Sequence, residues 1–159
     1  MRKKLDRLRF YLFEFCKKLA EREDSQDELA RQAEALAEKE GISYKAALLR
    51  LAEERPWLVE DLPLSLGAFA DPRVYLDSWA ESFRAQVKSR GGREIPYAEA
   101  LARARERFPT IAALSDLIHA DWDLFKRACI RVGRLDPDYA RERVEELILA
   151  EAERLREEA

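Results

Sequence analysis

Residues 1–22 read MRKKLDRLRFYLFEFCKKLAER. Leu5, Leu8, Leu12, Phe15 and Leu19 recur at alternating spacings of three and four, the a/d rhythm of a helix packed along another helix. Phe10, Tyr11, Phe13 and Cys16 widen that stripe beyond what a single neighbour covers. A half-buried strand needs a period of two, and the stretch has none. The spacing predicts a helix over 3–22 whose aromatic surface must be covered on two sides. It is basic, with eight Lys/Arg against three Asp/Glu over 1–22.

The composition of the whole chain agrees. Ala, Leu, Arg and Glu fill 88 of 159 positions, whereas Val, Ile and Thr fill 12, too few for a sheet-built core. With 38% charged residues and no apolar run of about 18, a membrane-spanning helix is excluded. Asp6, Arg7, Arg9 and Glu14 interrupt any apolar core of a leader peptide, so a cytosolic-type chain is expected. Net charge is −3, which gives no global basic footprint. Cys16 and Cys129 fall inside helical patterns and read as buried free thiols.

Punctuation divides the rest. Ser25-Gln26-Asp27-Glu28 is a capping box predicted to open a second helix, which Gly41 ends as a left-handed cap. Ser43 opens a third, with Tyr44, Ala47, Leu48 and Leu51 on one face and Pro56 closing it. Residues 57–71, WLVEDLPLSLGAFAD, are punctuated by Pro63 and Gly67 yet too apolar for a solvated linker. They predict an irregular segment packed on the core. Asp71-Pro72 is an N-cap followed by Pro at the first helical position, and that helix buries Tyr75, Leu76, Trp79, Phe83 and Val87. Further helices follow over 96–108 and 110–132, and after Asp136-Pro137. The expected fold is all-α, a compact bundle of six or seven helices. Residues 1–22 form an amphipathic helix, drawn as a protruding arm, and 23–159 form the helical domain.

Offsetting the chain by 53 residues pairs ISYKAALLRLAEERPWL (42–58) with IPYAEALARARERFPTI (95–111). Ile, Tyr, Ala, Leu, Arg, Glu and Pro coincide. Physically this is a one-face helix: Tyr in the first turn, Ala for close approach, Leu in the groove, Pro at the end. The pattern resembles a short segment, G-x-S/T-Y-x-x-A-L followed by P-x-L, of bacteriophage head-assembly proteins of the scaffold and prohead-protease kind. Gly41, Tyr44, Ala47, Leu48, Pro56 and Leu58 carry the likeness, and the second copy keeps Tyr97, Ala100, Leu101 and Pro109 with Glu94 in place of Gly. The resemblance implies particle assembly and a virion-associated setting. It brings no catalytic residue.

Chemistry is sparse. Asp116, His119 and Asp123 share a helix face, but a di-metal bundle needs two Glu-x-x-His units, so a solvated face is expected. Ser115 and His119 lack the sharp glycine turn of a hydrolase nucleophile. No phosphate-cradling glycine loop, paired CxxC or HExxH occurs. No enzyme, metal or cofactor is expected. Arg127, Arg131 and Arg134 lie at i, i+4 and i+7 and form a candidate phosphate face, against the alternative that they only match the helix dipole. Arg84, Lys88, Arg90 and Arg93 cluster around Gly91-Gly92, and Arg103 and Arg107 make a third group.

Asp121 poses a sharper question. A continuous helix over 110–132 would put it among Leu114, Leu117, Ile118, Phe125, Ala128 and Val132, where an unpaired carboxylate is costly. Either the helix breaks and Asp121 caps its successor, which the cap chemistry favours, or Asp121 is a buried charge paired with an Arg. The functional expectation is a protein that works by contact. Leu8, Phe10, Leu12, Phe13, Phe15 and Leu19 are expected to meet a protein partner or a second copy. A small nucleic-acid-binding regulator using Arg127, Arg131 and Arg134 is the alternative.

Overall fold

A computed structural model of the chain describes residues 2–54 and 66–158. Among these the fold is all-α, without a strand. Seven helices exceed two turns: α1 (Arg2–Glu40), α2 (Tyr44–Glu54), α3 (Pro72–Ser89), α4 (Tyr97–Arg107), α5 (Pro109–Ala120), α6 (Trp122–Gly133) and α8 (Val144–Glu158). A single turn, α7 (Pro137–Ala140), leads through a 3-10 turn into α8.

The main core lies between the first half of α1 and helices α5, α6 and α8. Leu12, Phe13, Cys16, Leu114, Phe125, Ala128, Cys129, Val132, Val144 and Ile148 fill it, all fully buried. Each large side chain there contributes roughly 1.5–3 kcal/mol through removal from water. A second cluster joins Leu8 of α1 to Leu76 of α3, Ala104 of α4, and Ile111 and Ala112 of α5. The α3–α4 pair is itself sealed by Ala80, Ile95 and Ala100.

Helix α1 is one continuous helix of 39 residues, about 58 Å long. The capping box at Ser25 is not used. Arg22-Glu23-Asp24-Ser25-Gln26 contains neither Gly nor Pro, so nothing forces a stop, and the N–H groups stay in the helical ladder. The expected arm is corrected accordingly. The face of residues 8–20 carrying Leu8, Leu12, Phe13, Phe15, Cys16, Leu19 and Ala20 lies in the core, and the part that projects is the second half of α1, with α2 folded back on it. Gly41 makes the reversal at φ +64°, with the Ile42 N–H donating to the Ala37 carbonyl at 3.1 Å. Ser43 caps α2, its Oγ accepting from the Ala46 N–H at 3.1 Å. This hairpin has a small core of its own, Ala33, Ala47 and Leu51, flanked by Leu29, Leu36, Ile42 and Leu48.

Both copies of the repeat form helices of 11 residues, α2 and α4, opened by Tyr44 and Tyr97. The tyrosines nevertheless stay exposed, at 44% and 39%. The packing face is the alanine face, Ala47 in one and Ala100 with Ala104 in the other, and the rings sit at its edge. The Tyr97 hydroxyl hydrogen-bonds the Asp77 carboxylate of α3. Pro56 and Leu58, and residues 57–65 of the expected irregular segment, lie outside the described residues; over 66–70 the chain forms a turn. No helix among the described residues is long and apolar enough to cross a membrane.

Candidate functional site: a basic aromatic cleft

The expected contact seam is filled from within the chain. Leu8, Leu12, Phe13, Phe15 and Leu19 are all buried, Phe15 stacking on Phe125 at 6.2 Å between centroids. They hold α1 to the bundle, so a partner reaches them only by opening the core. Phe10 alone of that set is exposed, at 43%, with the Arg141 guanidinium 5.3 Å from its ring.

Two of the three arginines of the phosphate face, Arg131 and Arg134, are already engaged. Arg131 pairs with Glu158 at 2.9 Å and Glu151 at 3.6 Å, and Arg134 with Glu23 at 2.7 Å and Asp24 at 3.1 Å. Glu158 holds the Arg131 guanidinium above its ordinary range, and Arg131 holds the Glu158 carboxyl below the usual carboxylate range. Arg127 is exposed beside these compensated neighbours. The other basic groups behave alike: Arg84 donates to the Ile95 carbonyl at 2.8 Å, and Arg93 pairs with Glu99 at 2.6 Å. Asp116 takes Arg105 at 2.7 Å.

Asp121 is exposed and is not a buried charge. The helix breaks there, with φ −153° and ψ 84°, and its carboxylate accepts from the Leu124 N–H at 3.1 Å. Two carboxylates are buried among the described residues: Asp71, which caps α3, and Glu145 on α8, which accepts from Arg9 Nε at 2.9 Å and from its terminal nitrogen at 2.7 Å through one oxygen. The second oxygen of Glu145 has no hydrogen-bond partner among the described residues. The Arg9–Glu145 pair ties α1 to α8 and lies within the packed body.

Where α1 passes α3, a cleft of about 360 Å³ opens to solvent. Its floor is aromatic. Trp79 and Phe83, one turn apart on α3, stack at 5.2 Å with planes 8° apart, and Tyr75 and Leu8 continue the surface. Phe69, 54% exposed, forms one wall, held by stacking on Tyr11 at 5.6 Å. Burial and nearby Glu145 push the Tyr75 hydroxyl above its usual range, although Arg9 and Arg107 pull it down. Lys4 and Arg7, one α1 turn apart, stand at the rim, the Arg7 guanidinium 4.4 Å from the Phe69 centroid. Among the described residues no carboxylate lines the cleft. Ser78, Ser82 and Gln86 supply its remaining polar groups. The arrangement suits an apolar body carrying negative charge at its edge.

The sequence pattern put Tyr75, Trp79 and Phe83 on one α3 face, but reserved that face for the core. The basic excess of residues 1–22 is the signal for Lys4 and Arg7, on a helix whose stronger a/d pattern serves the core. Phe69 has no local signal, because its place depends on how residues 66–70 return to α1. No protein-family model matches this chain, and no curated protein or solved structure matches it either.

Proposed function

We propose that this protein works by contact, as a non-enzymatic helical assembly protein that docks an acidic, amphipathic helix of a protein partner in the α1/α3 cleft. The observation that carries this reading is the cleft itself: among the described residues, an aromatic groove whose charged rim groups, Lys4 and Arg7, are both cationic. Helix-in-groove recognition needs such a groove for apolar anchors, with rim charges that select the partner. The likeness of residues 41–58 to segments of phage head-assembly proteins supports extending this reading to particle assembly, with virion association as its setting.

A synthetic helix-forming peptide of about 18 residues, with Leu at helical spacing and Glu elsewhere, serves as the probe. Titrated at low salt, it is expected to change Trp79 fluorescence saturably, and a Trp79→Phe variant removes the signal due to the cleft. Lys4→Glu with Arg7→Glu is expected to weaken binding at least tenfold, and salt should weaken it too. An unchanged affinity in the double variant would sink this reading.

A further inference from the structure

The projecting hairpin has the complementary chemistry. Residues 23–54 carry nine carboxylates and four cations, the reverse of the basic excess in residues 1–22. Helix α1 is thus charge-segregated end to end, with its basic half beside the cleft and its acidic half in the hairpin. On the outer face of α2, Ala46, Leu49 and Glu53 follow one another at spacings of three and four, all exposed. Leu49 is 59% exposed, although the hairpin's own core is only alanines and one leucine at full burial. An exposed leucine with Glu53 one turn on and Lys45 one turn back, on a hairpin that is acidic as a whole, presents an apolar anchor and net negative charge to the cleft's aromatic floor and two rim cations.

The hairpin cannot reach the cleft of its own molecule. Arg7 lies 22 residues before Leu29, the first α1 residue packed against α2, which is about 33 Å along one unbroken helix. Docking must therefore occur between molecules. Resting on the reading of the cleft given above, we infer that its partner is a second copy of this chain. The acidic α1/α2 hairpin of one molecule, led by Leu49, enters the cleft between Lys4, Arg7, Phe69 and Trp79 of the next. The two surfaces are different patches of one molecule, so the contact is heterologous. It propagates head to tail into a ring or a filament unless its rotation closes at once.

Sedimentation velocity and light scattering on the full chain test this. At low ionic strength the mass should rise with concentration past the dimer, and about 0.5 M salt should weaken association about tenfold. Lys4→Glu with Arg7→Glu should give a monomer, and so should Leu49→Asp, with native circular dichroism in both. An equimolar mixture of the two variants retains one intact pair of surfaces and should form a dimer that grows no further. A wild-type chain that stays monomeric at several hundred micromolar overturns the inference. So does a cleft variant that still assembles, which would mean hairpin-to-hairpin contact. If the Leu/Glu peptide binds the cleft while the chain stays monomeric, self-docking fails and the cleft's role as a protein-docking groove stands. If neither occurs, both fail.

Discussion

At position 133 two helices approach so closely that not even a methyl group fits between them. A Cβ there would lie 2.2 Å from the Cys16 carbonyl oxygen and 2.8 Å from the Lys17 nitrogen, both backbone atoms that no rotamer change can move aside. Gly133 is therefore what lets α6 touch α1, and Gly133→Ala should cost about 3 kcal/mol, read from urea unfolding. Asp121 acts at the other end of α6. Its cap bond to the Leu124 N–H is partly solvated, so Asp121→Ala should cost about 1 kcal/mol. A loss several times larger would show that the carboxylate does more than cap. The Arg9–Glu145 pair behaves differently, because removing Arg9 leaves Glu145, 4% exposed, with a buried uncompensated charge. Arg9→Met should destabilise by about 2–3 kcal/mol, and Glu145→Gln in that background should recover much of the loss.

Helix α1 has two halves with two jobs. Leu12 in the first half is fully buried, and Leu12→Ala should cost about 3–4 kcal/mol and lower the whole cooperative transition. The second half is held mainly by α2, through Ala33, Ala47 and Leu51. A proline at Gln26 removes one ladder hydrogen bond and clashes with the preceding turn, at about 3 kcal/mol. Because the break lies beyond the core contacts, Gln26→Pro should strip amide-exchange protection from residues 29–40 while α6 and α8 keep theirs. Equal loss of protection in α6 would mean that the hairpin and the body fold as one unit. The charge segregation of α1 also depends on that continuity, since a hinge at Ser25 would let the acidic hairpin swing toward its own cleft.

For the molecule as a whole, the two thiols report global opening. Cys16 and Cys129 are both fully buried in the α1–α6 core, and burial, with Cys16 close by, pushes the Cys129 thiol well above its ordinary range. Neither should react with a thiol reagent at neutral pH in the folded protein, and both should react together at the rate of global unfolding. Fast labelling of one thiol would reveal a local opening of α1 from α6. Alkaline pH should weaken the fold through Tyr75. Its folded hydroxyl ionises later than an unfolded one, so its stabilisation is complete below about pH 10 and fades as pH rises through the folded value. Tyr75→Phe should flatten that decline in a pH series of thermal melts.

Much of the fold was written in short-range chemistry. Scarce β-branched residues, three-and-four spacing, the Gly41 reversal, Ser43, Asp71-Pro72 and the Asp121 cap are local signals, and each acts within a turn or two of its own position. The sequence by itself therefore determined that the chain is helical, where most helices begin, and which faces are apolar. It could not determine what covers an apolar face. A stripe such as Leu8, Leu12, Phe15 and Leu19 reads the same whether a partner or the chain's own other helices pack on it, and only tertiary structure chose the latter. Nor could it show that Ser25 stays within a helix, since a capping box permits a start without imposing one. The cleft joins Lys4 and Arg7 to Phe69, Trp79 and Phe83, residues more than sixty positions apart. Their meeting is a consequence of packing, which no local pattern encodes.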